Sequence, residues 1–147
     1  MACPFFVPTQ RLEDGTWAHP SRLPLGAGWC GGCSAPGQEG AELTPAELTE
    51  CNLGYARCAR LPRDRSWDAV RFAVSRDRGL SISLWFVCET AHRPAAHGVL
   101  EYSLSTRRWT GPHPDPRIQN LAECYLQSYL LRRIPSALAG DTPSSDI

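Results

Sequence analysis

From Trp67 onward, apolar and polar positions alternate with period two. Val70, Phe72 and Val74 share one face against Arg71, Ala73 and Ser75, and the turn Arg76-Asp77-Arg78-Gly79 follows. Leu80, Ile82, Leu84, Phe86 and Cys88 then alternate with Ser81, Ser83, Trp85 and Val87. The pattern predicts two antiparallel strands joined as a hairpin. A loop from Glu89 to Gly98 is expected next, because it holds Pro94 with His92 and His97. A third strand, Val99 to Ser105, places Leu100, Tyr102 and Leu104 on one face. After the turn residues Gly111-Pro112-His113-Pro114 the spacing changes to that of a helix. Asp115 with Pro116 is a start signal, Ile118, Leu121, Ala122, Tyr125 and Tyr129 recur at helical intervals, and Pro135 sets the end near Arg133. This helix is expected across one face of the three strands, with Arg132 and Arg133 suited to the negative end of its dipole.

The first 66 residues carry no such periodicity, with one exception. Thr44-Pro45-Ala46-Glu47 is a capping box with proline at the first helical position, and Leu43 and Leu48 stand where a hydrophobic staple would form. The helix is expected to stop at Gly54. Cys51 lies one turn beyond Leu48, on roughly the same face. Elsewhere this half is rich in glycine, proline and cysteine, and residues 4–28 read as extended chain laid over the surface. The resulting expectation is an α+β chain in one domain, 1–147: an irregular Cys-rich metal-binding half (1–66), a β-β-β-α core made by a three-stranded antiparallel meander and a C-terminal helix (67–135), and a flexible tail (136–147).

Composition narrows what such a chain does. Hydrophobic residues make 42% and charged residues 20%, which suits a globular fold. The 15 basic and 15 acidic residues cancel, so no global field draws the chain to nucleic acid or to a membrane. Every basic residue is arginine, a planar fork suited to carboxylates, phosphates and aromatic faces. The first residues show no secretory signal, and the longest apolar run, Leu84 to Cys88, is far too short to span a bilayer. The expected compartment is the cytoplasm, where disulfides rarely persist. Seven cysteines, an odd number, also argue against a fully paired framework.

Five of those cysteines fall in the first half: Cys3, Cys30, Cys33, Cys51 and Cys58. Reduced cysteines at close spacing, in a half poor in apolar periodicity, point to a centre held by thiolates. Cys51 and Cys58 belong to any such centre. Zinc would add Cys30 and Cys33 as a knuckle, although the six residues between Cys51 and Cys58 exceed the usual zinc spacing. A [4Fe–4S] cluster would instead take Cys3, which sits in a cysteine–proline step, with Cys33. The expected ligands are Cys3, Cys33, Cys51 and Cys58, with Cys30 as the reserve. Cys88 and Cys124 continue the apolar faces of a strand and a helix and read as core. Arg57, Arg60, Arg63 and Arg65 cluster beside Cys58, where they would offset an anionic centre.

No Gly-x-Ser-x-Gly, P-loop or dinucleotide fingerprint is present, so nothing specifies an enzyme. The leading expectation is a small metal-binding protein carrying [4Fe–4S], acting in electron transfer or as an accessory subunit of a redox system, with a protein partner. The rival is a Zn2+-stabilised module that binds protein or nucleic acid. For nucleic acid the arginine cluster is weak support on a neutral chain.

Overall fold

The computed structural model describes residues 1–13 and 23–145. Elements run β1 (Phe6–Arg11), β2 (Trp29–Cys33), α1 (Pro45–Leu53), β3 (Ala69–Asp77), β4 (Ser81–Thr90), β5 (Arg93–Ser103), β6 (Arg108–Thr110) and α2 (Pro116–Ser145). They form a two-stranded antiparallel sheet, β1-β2, and a four-stranded antiparallel sheet in the order β3-β4-β5-β6.

The expected irregular first half on a three-stranded meander is therefore corrected at two points. The first half holds a sheet of its own, in which Phe6 pairs with Cys33 and Arg11 with Trp29. Its second strand reads Trp-Cys-Gly-Gly-Cys, and two glycines give it no strand signature. Gly31 is needed there for another reason: a Cβ on it would stand 2.1 Å from the Val7 carbonyl oxygen and 2.8 Å from the Pro8 Cα. The register shifts between Pro8 and Gln10, and Gly31 is the partner of Pro8 beside this irregularity. The second correction is the fourth strand. β6 is three residues long, too short for a period to be legible, and is held by tertiary contacts. Trp109 pairs with Tyr102 across the ladder, their rings 5.2 Å apart, and the indole N–H donates to the Glu123 carboxylate in α2 at 2.8 Å.

The β3–β4 hairpin forms as the alternation predicts, with Val70 opposite Cys88, Phe72 opposite Phe86 and Val74 opposite Leu84. The loop expected over 89–98 is instead mostly strand. β4 runs to Thr90 and β5 starts at Arg93, leaving Ala91 and His92 as a two-residue turn with φ of 53° and 63°. Positive φ at both positions is the turn that matches strand twist, and it is normally made by glycine or asparagine. Here it is held from outside. The Ala91 amide donates to Asp68 Oδ2 at 2.7 Å and the His92 amide to the Tyr55 hydroxyl oxygen at 2.6 Å. The His92 ring stacks on Tyr55 at 4.0 Å.

One core serves both halves. Ala2, Phe6, Leu25, Ala27, Trp29 and Cys51 are buried in the same cluster as Val70, Ile82, Leu84, Leu100, Ile118 and Leu121. Pro4, Leu23 and Leu25 are buried, so parts of segment 4–28 enter the core rather than lie on the surface; His19 and Pro20 fall outside the described residues. Helix α2 packs on β1 and β3, and it continues past the expected end near Arg133, through Pro135, to Ser145. Near its C-terminal half, Asp77 at the β3–β4 turn accepts from the Tyr129 hydroxyl at 2.6 Å and the Gly79 amide at 2.9 Å. Arg133 Nε lies 3.4 Å from the same carboxylate. Among the described residues no helix is long and apolar enough to cross a membrane.

Two predictions follow from this packing. Gly31→Ala forces the backbones of β1 and β2 apart and should lower unfolding free energy by about 1–3 kcal/mol in chemical denaturation. Gly32→Ala, with nothing within 4 Å of its added carbon, should stay within about 0.5 kcal/mol of the parent. The second concerns pH. The hydrogen bond from Tyr129, then that from Gly79, hold the Asp77 carboxyl below its ordinary value of 3.8. A lowered carboxyl stabilises the fold above the unfolded pKa and loses that contribution as pH falls below 3.8. Asp77→Asn should therefore lower Tm at neutral pH, with a difference that shrinks as the buffer is taken below pH 3.8.

Candidate metal centre

Four segments deliver one cysteine each to a narrow cavity. Cys3, Cys33, Cys51 and Cys58 line it together with Phe5, Phe6, Ala35, Leu43, Leu61, Glu47 and Arg60. Cys3 arrives on the N-terminal arm. The arm is tied down by a pair of hydrogen bonds between Ala2 and Val70, and by the Cys3 amide donating to the Cys51 carbonyl at 3.0 Å. Cys33 closes β2, Cys51 lies in the last turn of α1, and Cys58 follows the helix stop.

Helix α1 forms for the reasons legible in its sequence. The Thr44 hydroxyl accepts from the Glu47 amide at 3.2 Å, and the Glu47 carboxylate accepts from the Thr44 amide at 2.9 Å. Its end differs: Gly54 is extended, at φ −83°, and donates its amide to the Glu50 carbonyl, so the stop is not a left-handed cap. Asn52, which carried no signal in the sequence, joins α1 to β2. It is buried, with Oδ1 accepting from the Trp29 amide at 2.9 Å and Nδ2 donating to the carbonyls of Trp29 and Leu48 at 2.9 and 2.8 Å.

The five candidate cysteines separate cleanly. In a strand, residues three apart point to opposite faces, so Cys30 and Cys33 cannot present both thiols to one point. Cys33 enters the cavity and Cys30 does not. Cys30 and Cys33, considered as a knuckle, both lie in β2. Cys88 and Cys124 are buried in the core, on the faces expected of them. His92 and His97 are both exposed on the hairpin.

Backbone amides face the sulfurs. The Ala35 amide donates to Cys33 Sγ and the Arg60 amide to Cys58 Sγ, each at 3.4 Å and each from two residues on. The Phe6 amide donates to the Cys3 carbonyl oxygen at 3.1 Å. Burial raises the Cys3 thiol to about 11, partly opposed by the Phe5 amide, with the charges of Cys33 and Cys58 adding to the rise. Burial likewise pushes Cys51 up to about 12, followed by the charges of Cys3, Cys58 and Cys33. These four groups are therefore close enough to sense one another, and without a cation Cys3 and Cys51 stay protonated at neutral pH. Among the described residues no group of three or more His, Cys, Asp or Glu side chains stands ready to hold a metal ion as placed.

Of the four arginines near Cys58, Arg60 reaches the cavity wall. Its guanidinium is held by Glu47, at 2.6 and 3.3 Å, and by Gln38 Oε1. Arg65 is engaged elsewhere, by Asp68 at 2.6 Å and the Pro62 carbonyl. Glu47 and Gln38 in this role were not foreseen. The hint was that Glu47, a capping residue, lies one turn before the helical cysteine.

Comparison of the chain with family models, with curated proteins and with solved structures finds no match.

Asn52→Ala tests the joint between α1 and β2. It leaves the buried amide and carbonyl of Trp29 without partners, and should lower unfolding free energy on the order of 3 kcal/mol. Native-state hydrogen exchange should show the Trp29 amide losing protection. Unchanged protection would mean that α1 is held to β2 by apolar packing alone.

Proposed function

We propose that this chain binds a [4Fe–4S] cluster through Cys3, Cys33, Cys51 and Cys58, and serves in electron transfer or as an accessory subunit of a redox system in the cytoplasm, with a redox protein or larger complex as its partner. One observation carries the reading: Cys3 lies in the shared cavity and Cys30 lies outside it. A local zinc knuckle has no use for the N-terminal arm, whereas a site drawing one thiolate from each of four separated segments suits a polynuclear centre. The apolar wall made by Phe5, Phe6, Leu43 and Leu61 would limit access of water and oxidants.

The test is protein purified without oxygen, assayed for iron, acid-labile sulfide and zinc. A brown protein with about four irons per chain is expected, as the cluster type requires. Colourless protein with one zinc would sink the cluster and leave the zinc-stabilised binding module. Single cysteine-to-serine variants then check the ligands, because a hydroxyl is a poor substitute for thiolate toward a soft metal. Cys3→Ser, Cys33→Ser, Cys51→Ser and Cys58→Ser should each lose iron. Cys30→Ser, Cys88→Ser and Cys124→Ser should keep it. Iron retained in Cys3→Ser and lost in Cys30→Ser would overturn the ligand set.

A further inference from the structure

Resting on the cluster reading above, we propose that the Arg60–Glu47 pair tunes the reduction potential of the centre: Arg60 supplies the positive charge that favours the reduced state, and Glu47 the opposing charge that limits it. Both residues are among those lining the cysteine cavity, and their side chains hold one another by two hydrogen bonds of 2.6 and 3.3 Å. Gln38 fixes the third guanidinium nitrogen. The Arg60 residue also approaches the site through its backbone, whose amide donates to Cys58 Sγ at 3.4 Å.

The physical argument concerns where charge changes. A [4Fe–4S]2+ core with four thiolates carries two net negative charges, and one-electron reduction adds a third. The electron comes from a one-electron donor, no bond forms or breaks, and no proton need move. Adding charge to an already anionic centre is opposed by every neighbouring carboxylate and favoured by every neighbouring cation. Near Cys58 the sequence offers Arg57, Arg60, Arg63 and Arg65, yet Arg60 is the one that lines the cavity. Its carboxylate partner lines the same cavity, so the pair places two opposed fixed charges beside one centre. A purely structural clamp is the bland alternative. At 26% and 28% exposure the two side chains form a pair of the kind that contributes little to stability.

Opposite signs make the proposal testable. Arg60→Gln removes the cation, and Glu47→Gln removes the carboxylate while keeping a side chain able to complete the capping box with Thr44. Arg60→Lys keeps the charge without the fork. Each full-length variant is purified without oxygen, its iron and sulfide are counted, and its midpoint potential is measured by mediated titration with dithionite. Iron retained throughout is expected, with the potential shifted negative in Arg60→Gln, positive in Glu47→Gln, and near the parent value in Arg60→Lys. A brown parent whose two glutamine variants shift in the same direction, or not at all, overturns this proposal and leaves the cluster reading standing. Iron lost from Arg60→Gln and also from Arg60→Lys identifies a structural clamp and overturns it as well. A colourless parent overturns the cluster reading, and this proposal with it.

Discussion

The last turn of α1 is the joint on which the rest of the molecule depends. Helix ends leave carbonyl groups without helical partners, and each residue of this turn resolves that deficit toward a different part of the chain. The Glu50 carbonyl takes the Gly54 amide, which stops the helix. The Cys51 carbonyl takes the Cys3 amide, which draws in the N-terminal arm. Asn52 turns its side-chain amide onto Trp29 and satisfies both the N–H and the C=O of that residue, as a neighbouring strand would. The outer edge of β2 is thus closed at Trp29 by a side chain instead of by a third strand. Because these bonds are buried, an unmade one carries the full desolvation penalty of its group, which is what makes the arrangement specific. Cys3, Cys33 and Cys51 line one cavity because the backbone of their segments is joined at this turn.

What could be read in the sequence divides along the same line. Features specified within a few residues were legible: the capping box at Thr44, the alternation of β3 and β4, the helical spacing after Pro116. Features specified by distant contacts were not. β2 has a strand conformation because Phe6–Arg11 pairs with it, and its glycines reflect the close approach of Val7 and Pro8 to Gly31. The Ala91–His92 turn uses residues that ordinarily avoid positive φ, and the compensation comes from Tyr55 and Asp68, far away in sequence. The candidate site shows both behaviours at once. That the five first-half cysteines were the candidate ligands could be read from composition and spacing. Which four of them share a cavity depended on β2 being a strand, since only then do Cys30 and Cys33 face apart.

The absence of lysine has a structural counterpart. Arginine forks tie irregular segments to regular ones by combining a carboxylate or a ring with a backbone carbonyl or amide side chain. Arg65 holds Asp68 and the Pro62 carbonyl, and Arg133 holds Asp77 and the Gly79 carbonyl. Arg117 pairs with Asp115 and lies 4.5 Å over the Phe5 ring, next to the arm that carries Cys3. A lysine ammonium has one charged point and lacks the planar geometry for two simultaneous partners. Exposed ion pairs add little free energy individually. Their contribution here is geometric, in setting where loops lie beside the sheets and helices.

Burial alone does not mark the cysteine cavity as a site, because a reduced cysteine behaves as a small apolar residue and packs readily in a core. Cys88 and Cys124 do just that. The difference lies in the donors. Cys33 and Cys58 each receive an amide from two residues further on. A neutral thiol is a weak acceptor, so such amides gain little from it, whereas a thiolate makes the same contacts charge-assisted. The backbone therefore directs donors to two of the cavity's sulfurs. In the proposed metal centre a bound cation would stabilise the thiolates by direct coordination, with the thiol protons released as it enters. That contrast in donors, more than the number of cysteines, is the physical argument behind the proposed metal centre.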